Sequence, residues 1–193
     1  MANAISSAIT KLAAADESRR VAGASEIYRQ GRAAADRAVF RWWDDAELSE
    51  LLLRPKPIVT VGVAVPPETF MRIRTANGQP ALADVPQEQD AQEFELHFAD
   101  GVELDVLTSK EPDGQGAIAR FLTKFGEGVQ QVEFRCLNVD RAMAIVRERF
   151  SVTPIYAEAR GGANGSKVNF VLVNAPGAGA ENPKVLIELY ELR

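Results

Sequence analysis

The order of predicted strands and helices repeats in the second half of this chain, and this repeat constrains the fold more than any other feature. Residues from about 57 to 110 predict a strand, a helix and two further strands, with a weak extra strand near 80–84. Residues 128–191 predict a strand, a helix and three strands. Such self-similarity indicates two copies of one supersecondary unit. We therefore expect an α+β fold in which two βαβββ modules form a curled, cup-shaped mixed sheet.

Alternating side chains assign the strands and give each one a polar face. In the strand at 129–136, the polar residues Gln131, Glu133 and Arg135 alternate with apolar ones. Strict alternation is typical of a half-buried strand. We expect the polar alternates of the strands to point into the cup. Further strands are predicted at 58–65, 93–98, 102–107, 155–159, 167–172 and 185–190.

Short helices and turns connect these strands. Helices are predicted at 69–76, 117–124 and 140–150. The glycines of 161–165 predict a hairpin turn, because this segment lacks the strand-to-helix context and the Lys-Ser/Thr pair of a phosphate-binding loop. Residues 175–183 are rich in Gly, Pro and Ala, which predicts a loop.

The first 54 residues differ in character from the rest and are predicted to be helical. Ala, Glu, Arg and Leu dominate residues 1–54, and no proline interrupts them. A weak Ala-rich helix is predicted at 4–15, and a second helix is predicted to begin at Ser25 as its N-cap. Asp44 or Asp45 is expected to cap a third, short helix.

This change of character divides the chain into a helical extension at 1–54 and a domain at 55–193 that holds both modules. The extension has little core of its own, so it must pack on the rest of the chain or on a second subunit. An apolar stripe within 25–54 favours a packing collar or a dimer arm, with Trp42 and Trp43 as contact anchors. We expect a homodimer.

Composition excludes several partners and classes of site. The net charge of −5 argues against non-specific binding to nucleic acid or anionic membrane, and no run is apolar enough to span a bilayer. The single Cys136 excludes an internal disulfide framework and fits a reducing cytosol. The N-terminus lacks the features of a secretory signal, so we expect a cytoplasmic protein. Because His97 is the only histidine, one chain cannot form a multi-histidine metal site.

Several segments carry a resemblance to a known family. The sequence at 126–134 resembles Gly-Glu-Gly-Ile-His-His-Ile-Ala-Phe of methylmalonyl-CoA epimerases. Residues 118–122, 162–168 and 185–189 resemble the helix before that segment, a Gly-rich turn and the closing strand of the same family. The resemblance covers about 57–191. It places the chain near the vicinal oxygen chelate superfamily, also called glyoxalase/bleomycin-resistance/dioxygenase, and implies a small-molecule ligand in the cup.

The resemblance also implies where a metal would bind. Enzymes of this superfamily usually hold one divalent metal with about four side chains, one from each of four strands. Carried over by position, these ligands fall on Thr60, Asp105, Gln131 and Glu188, with Glu103 as an alternative to Asp105. Both of the family's histidine ligands are therefore replaced, and the set offers only oxygen.

An oxygen-only set changes the implied chemistry. Hydroxyl, amide and carboxylate oxygens suit a hard ion such as Mg²⁺ or Ca²⁺, and hold it weakly. The resemblance implies an enolate formed by carboxylate bases. Glu188 would be a ligand or base, and Asp105 a ligand and the second candidate catalytic residue. The cofactor is left open between one divalent metal and none.

Other polar residues are candidates for binding the substrate. Glu133, Arg135 and Lys167 are expected to converge on the cup, where the two cations would neutralise acids or hold an anionic substrate. His97 is a further candidate that could compensate for the missing histidines. The simpler alternative is a solvated polar face, which antiparallel sheets often keep.

Three hypotheses of function follow. The first is an isomerase, epimerase or lyase that acts next to a carbonyl or carboxylate, with non-standard oxygen ligands. The second is a metal-free protein that sequesters a small molecule without catalysis. The third is a largely structural or interaction protein, suggested by the helical extension. Fold-level analogy alone does not decide between chemistry and binding.

Overall fold

The computed structural model describes residues 2–176 and 184–192 and confirms the predicted α+β class. Its α-helices are α1 (Ala2–Leu12), α2 (Glu17–Ala38), α3 (Ala46–Leu51), α4 (Pro67–Ala76), α5 (Ala117–Phe125) and α6 (Val139–Phe150). Its strands are β1 (Val59–Ala64), β2 (Gln92–Phe98), β3 (Val102–Thr108), β4 (Gly128–Arg135), β5 (Arg160–Gly161), β6 (Lys167–Asn174) and β7 (Lys184–Glu191). No helix in these described ranges is long and apolar enough to cross a bilayer.

Strand pairing confirms a mixed sheet. β3 lies between β2, to which it is antiparallel, and β1, to which it is parallel. β7 lies between β4, which is parallel to it, and β6, which is antiparallel, and β5 pairs with the far side of β6. Each module therefore combines both kinds of pairing, as a strand–helix–strand unit with added hairpins requires.

The described residues form two compact units, each built from two separate stretches of chain. The first unit takes its residues from Met1–Gly31 and Thr60–Gln130. The second unit takes its residues from Arg32–Val59 and Gln131–Arg193. The helical N-terminal segment is thus shared between the two units.

In the first unit, α4 covers one face of the three strands. Pro67 begins the helix, where a missing N–H is tolerated. Phe70 on α4 packs edge-on against Phe94 on β2, with ring centroids 4.7 Å apart, and both are fully buried. Asn77 at the end of α4 donates its amide to the carbonyl of Leu12, which ties α1 to this core.

On the other face of these strands, α5 covers one end. Ile118 of α5 packs against Ala64 and Leu107, which are direct neighbours in the β1–β3 register. The helix ends at Gly126, whose φ of 73° favours glycine. An apolar patch therefore lies on the same face as the polar alternates of this unit.

In the second unit, α6 packs on β6 and β7 and is joined to α3 by ion pairs. Asn138 caps α6 by accepting the backbone N–H of Arg141 at 2.9 Å. Asp45 caps α3 by accepting the N–H of Leu48 at 2.9 Å, which confirms one of the two predicted caps. Arg141 and Arg149 on α6 reach the acids of α3, where Glu47 accepts from both.

The apolar stripe of the N-terminal segment is already covered within one chain. Ile27, Ala35, Trp42, Leu48 and Leu52 are all buried. A stripe that needs a second subunit would be exposed in a single chain. The predicted homodimer therefore loses the support of this stripe and stays a prediction.

The predicted start of the second helix is wrong. Ser25 lies inside α2, which begins at Glu17. The Asp16 carboxylate accepts the backbone N–H of Arg19 at 3.0 Å and therefore caps an earlier start.

Two of the predicted strands are also absent. Residues 155–159 are irregular, because the side chain of Asn169 binds both the N–H and the carbonyl of Tyr156 in place of a strand partner. Residues 80–84 have no strand pairing either. In the predicted loop at 175–183, residues 177–183 lie outside the described part of the chain.

Candidate functional site

A buried amide and two carboxylates meet on the polar face of the second unit. Gln131 and Glu133 alternate on β4, and Glu188 lies opposite Glu133 in the β4–β7 register. The Gln131 Nε2 donates to Glu188 Oε2 at 2.7 Å and to Glu133 Oε1 at 3.1 Å. Gln131 and Glu188 are each only 8% exposed. We call these three residues the Gln131 cluster.

The Gln131 cluster is a polar arrangement that the local structure holds in place. The neighbours of Glu188 on β7, Ile187 and Leu189, are fully buried, so the strand cannot rotate Glu188 away without exposing them. A buried carboxylate is tolerated when a donor satisfies it. The amide of Gln131 supplies that donor, and one amide serves two acids.

Arg135 adds a positive charge to the same face. It follows Glu133 by two residues on β4 and lies opposite Tyr190 in the register. The arginine is half-buried. This face therefore combines two carboxylates and a guanidinium, as the sequence predicts for Glu133 and Arg135.

Lys167 does not lie on this face, contrary to the sequence prediction. In the β6–β7 register Phe170 is opposite Glu188, whereas Lys167 is opposite Glu191. Positions an odd number apart on a strand point to opposite faces, so Lys167 faces α6. There its Nζ forms an ion pair with Asp140.

In the first unit, a second set of acids lies on the polar alternates. Asp105 is 6% exposed and lies opposite Gly62 on β1 and Glu95 on β2. Thr60 is 7% exposed, and its hydroxyl donates to Glu103 Oε2 at 3.4 Å. Thr60 therefore contacts Glu103, the alternative to Asp105 in the predicted ligand set.

His97 lies at the exposed end of this set. Its Nε2 is 3.1 Å from Glu95 Oε2, and its side chain is 62% exposed. This exposed position agrees with the simpler alternative, in which His97 is part of a polar face in contact with solvent.

Glu93 is a polar residue of this face that the sequence prediction omitted. It lies opposite Leu107, the residue that packs beneath α5. Burial, with the nearby charge of Glu95 added, raises the pKa of Glu93 to about 7, while Lys110 acts in the opposite direction. The alternation of β2 places Glu93 with Glu95, but alternation alone does not show that Glu93 is half-buried.

The acids and amide do not fit the divalent metal that the fold family implies. Among residues 2–176 and 184–192, no group of three or more His, Cys, Asp or Glu side chains is placed to hold an ion. The amide of Gln131 presents its N–H to Glu188, whereas a metal would take its oxygen. The ligand set of Thr60, Asp105, Gln131 and Glu188 therefore stays a sequence prediction.

Comparison with solved structures defines the class of fold. No protein-family model matches the chain, and no curated protein is significantly similar to it. The chain has the vicinal oxygen chelate fold. Its strand order and pairing are consistent with this fold, and so are its structural neighbours.

Methylmalonyl-CoA epimerases are prominent among these neighbours. The enzyme from Mycobacterium tuberculosis is 27% identical, with a TM-score of 0.54 over 69% of this chain and 86% of that one. A variant of the Streptomyces coelicolor enzyme, in complex with 2-nitronate-propionyl-CoA, is 23% identical, with a TM-score of 0.51 over 70% of this chain and 96% of that one. A hypothetical protein from Bacillus halodurans C-125 is 21% identical, with a TM-score of 0.53 over 69% of this chain and 92% of that one.

Proposed function

We propose that this protein binds a small carbonyl or carboxylate compound on the polar face of its strands and moves a proton at the carbon next to the carbonyl. The reaction class is that of an epimerase or isomerase. The observation that supports it is the Gln131 cluster, where a carboxylate is held in a fixed position under cover from solvent. Similarity to methylmalonyl-CoA epimerases supports the same class.

Each residue of the cluster has a proposed role. Glu188 is the base that accepts the proton, and Gln131 orients its carboxylate. Arg135 holds a carboxylate or carbonyl oxygen of the substrate, because a guanidinium binds such groups with paired N–H donors. Glu133 lies next to the proposed substrate position, between Gln131 and Arg135 on β4. Asp105, in the first unit, is proposed as the other catalytic carboxylate, and Lys167 has no role because it faces α6.

Proton exchange in D₂O tests this proposal. Methylmalonyl-CoA and a panel of 2-oxo acids serve as probes, and ¹H NMR follows loss of the signal next to the carbonyl. We expect exchange with at least one probe and a fall of about a hundredfold or more in Glu188→Gln. Glu148→Gln is the matched control, since Glu148 is an exposed acid on α6. Equal rates in Glu188→Gln and the control would refute the role of Glu188.

A metal-free binding protein without catalysis is the second candidate. It is favoured by the poor fit of the acids to a metal within the described residues and by the engagement of Glu188 with Gln131. This candidate predicts saturable binding of a probe with no exchange at any probe's carbon. Elemental analysis of protein purified without chelator separates a third outcome. Stoichiometric metal that is lost in Glu188→Ala would restore the predicted ligand set.

A homodimer and a cytoplasmic location are also part of the proposal. Light scattering after size-exclusion chromatography tests the dimer, and a monomer at micromolar concentration would exclude it. The buried, free Cys136 is compatible with a reducing compartment.

A further inference from the structure

A cleft in the second unit lies on the opposite face of the strands from the Gln131 cluster. Its volume is about 480 Å³, within the range of small-molecule sites. One wall is α6, the other is the irregular segment at 154–159, and β6 forms the floor. The proposed function makes no use of this cleft.

The wall formed by α6 is a single helical stripe. Asp140, Met143, Ala144 and Arg147 line the cleft and follow the spacing i, i+3, i+4 and i+7. The two middle residues are apolar and the two ends carry opposite charges. A ligand lying along this wall would therefore meet an apolar centre between charged ends.

Hydrogen bonds to β6 fix the opposite wall, the segment at 154–159. Asn169 is 2% exposed, and its side chain accepts from Tyr156 N at 3.3 Å and donates to Tyr156 O at 3.0 Å. The N–H of Ile155 donates to the carbonyl of Phe170 at 2.7 Å. These bonds fix the segment to the strand, and the small side chains of Ala157 and Ala159 leave the space beside α6 unfilled.

The charged residues of the cleft differ in how strongly they are engaged. Lys167 and Asp140 form an ion pair with each other. Arg147 contacts Glu148 only at 3.8 Å, and its side chain is 61% exposed. Glu158 is exposed and forms no ion pair with any residue in the described part of the chain. One cation and one anion therefore remain available to a ligand.

We propose that this cleft binds a small zwitterion with an apolar side chain, of which an apolar α-amino acid is the simplest example. Its carboxylate would pair with Arg147, its ammonium group with Glu158, and its side chain would contact Met143 and Ala144. A simple carboxylic acid would leave Glu158 unpaired and an amine would leave Arg147 unpaired. The zwitterion complements both charges and the apolar residues of α6.

Titration of the ¹⁵N-labelled full chain tests the proposal with four probes. L-leucine carries all three features, 4-methylpentanoate lacks the ammonium group, 3-methylbutylamine lacks the carboxylate and glycine lacks the side chain. We expect L-leucine to shift the amide signals of 140–147 and 155–159 in a saturable way. Each of the other probes should bind about tenfold more weakly, because each loses one charge-assisted or apolar contact.

Substitutions assign the contacts. Arg147→Gln should remove the advantage of L-leucine over the amine, and Glu158→Gln should remove its advantage over the acid. Glu50→Gln is the control, because Glu50 is an exposed acid on α3 that does not line the cleft, and this variant should leave binding unchanged. Ala157→Leu should fill the cleft and abolish binding while the thermal unfolding transition is retained.

Three results would overturn the proposal. These are no saturable shift with L-leucine up to its solubility limit, shifts confined to other parts of the chain, and equal weakening by Glu50→Gln and Arg147→Gln. None of them depends on the exchange assay with Glu188, so the two proposals can fail separately.

Discussion

The burial of Glu93 should make the protein less stable as the pH rises. Burial and the charge of Glu95 raise the pKa of Glu93 from 4.5 to about 7 in the folded protein. The folded state then holds the Glu93 proton more tightly than the unfolded state does. Stability from this group is complete below pH 4.5, falls as the pH rises through about 7, and is level above that.

The magnitude follows from the two pKa values. The interval from 4.5 to about 7 corresponds to about 3 kcal/mol of unfolding free energy. This value is an upper bound, because Glu93 is half-buried and solvent screens part of its charge. Glu93→Gln carries no titrating group, so the variant should lack this part of the decline.

Urea unfolding across this pH range measures the effect. The unfolding free energy of Glu93→Gln minus that of the wild type should increase by up to about 3 kcal/mol between pH 4.5 and about pH 8. Glu88→Gln, at an exposed loop position, is the matched control and should follow the wild type. Parallel pH profiles for Glu93→Gln and the wild type would refute the reasoning.

Four further substitutions or treatments test other parts of the structure. Gln131→Leu removes the amide that binds Glu188 and should cost about 1–3 kcal/mol by urea unfolding, and an unchanged midpoint would contradict the role of this hydrogen bond. Gly23→Ala should destabilise the protein by about 1–3 kcal/mol, since its Cβ would lie 2.6 Å from the carbonyl oxygen of Ala8. Gly128→Ala is the comparison, because a Cβ there would meet nothing nearer than the Ile5 side chain at 3.9 Å. Asn169→Ala leaves the backbone of Tyr156 without its partners, so faster amide exchange is expected at 154–159, measured by mass spectrometry. Cys136 should resist maleimide at about pH 8 until the protein is denatured, because burial raises the pKa of its thiol to about 11, and rapid labelling of the native protein would show the thiol to be accessible.

Local signals in the sequence were sufficient where one residue dictates the structure. The Asp45 cap and the alternation of Gln131 and Glu133 on β4 are fixed by neighbours a few positions away, and both are found as predicted. The prediction of where α2 begins was wrong because a local signal was chosen between two candidates. Two competing caps, Asp16 and Ser25, lie in one helical stretch, and the acid at position 16 wins by accepting the N–H of Arg19.

The sequence was insufficient where another element decides which face is buried. On β6 both sets of alternates mix polar and apolar residues, so hydrophobicity does not identify the buried set. The packing of α6 and the bonds from Asn169 to Tyr156 select the face that holds Lys167. Glu93 is a second example, since it belongs to the polar alternates of β2 and is nevertheless half-buried opposite Leu107 of β3.

The division of each unit between two stretches of chain has a consequence for synthesis on the ribosome. Asp45 and Glu47 precede their partners Arg149 and Arg141 by 104 and 94 residues. The first unit can be completed once residue 130 has emerged, while 32–59 must wait for 131–191. The nascent chain therefore carries Trp42 and Leu48 without their final burial until residues 131–191 have emerged.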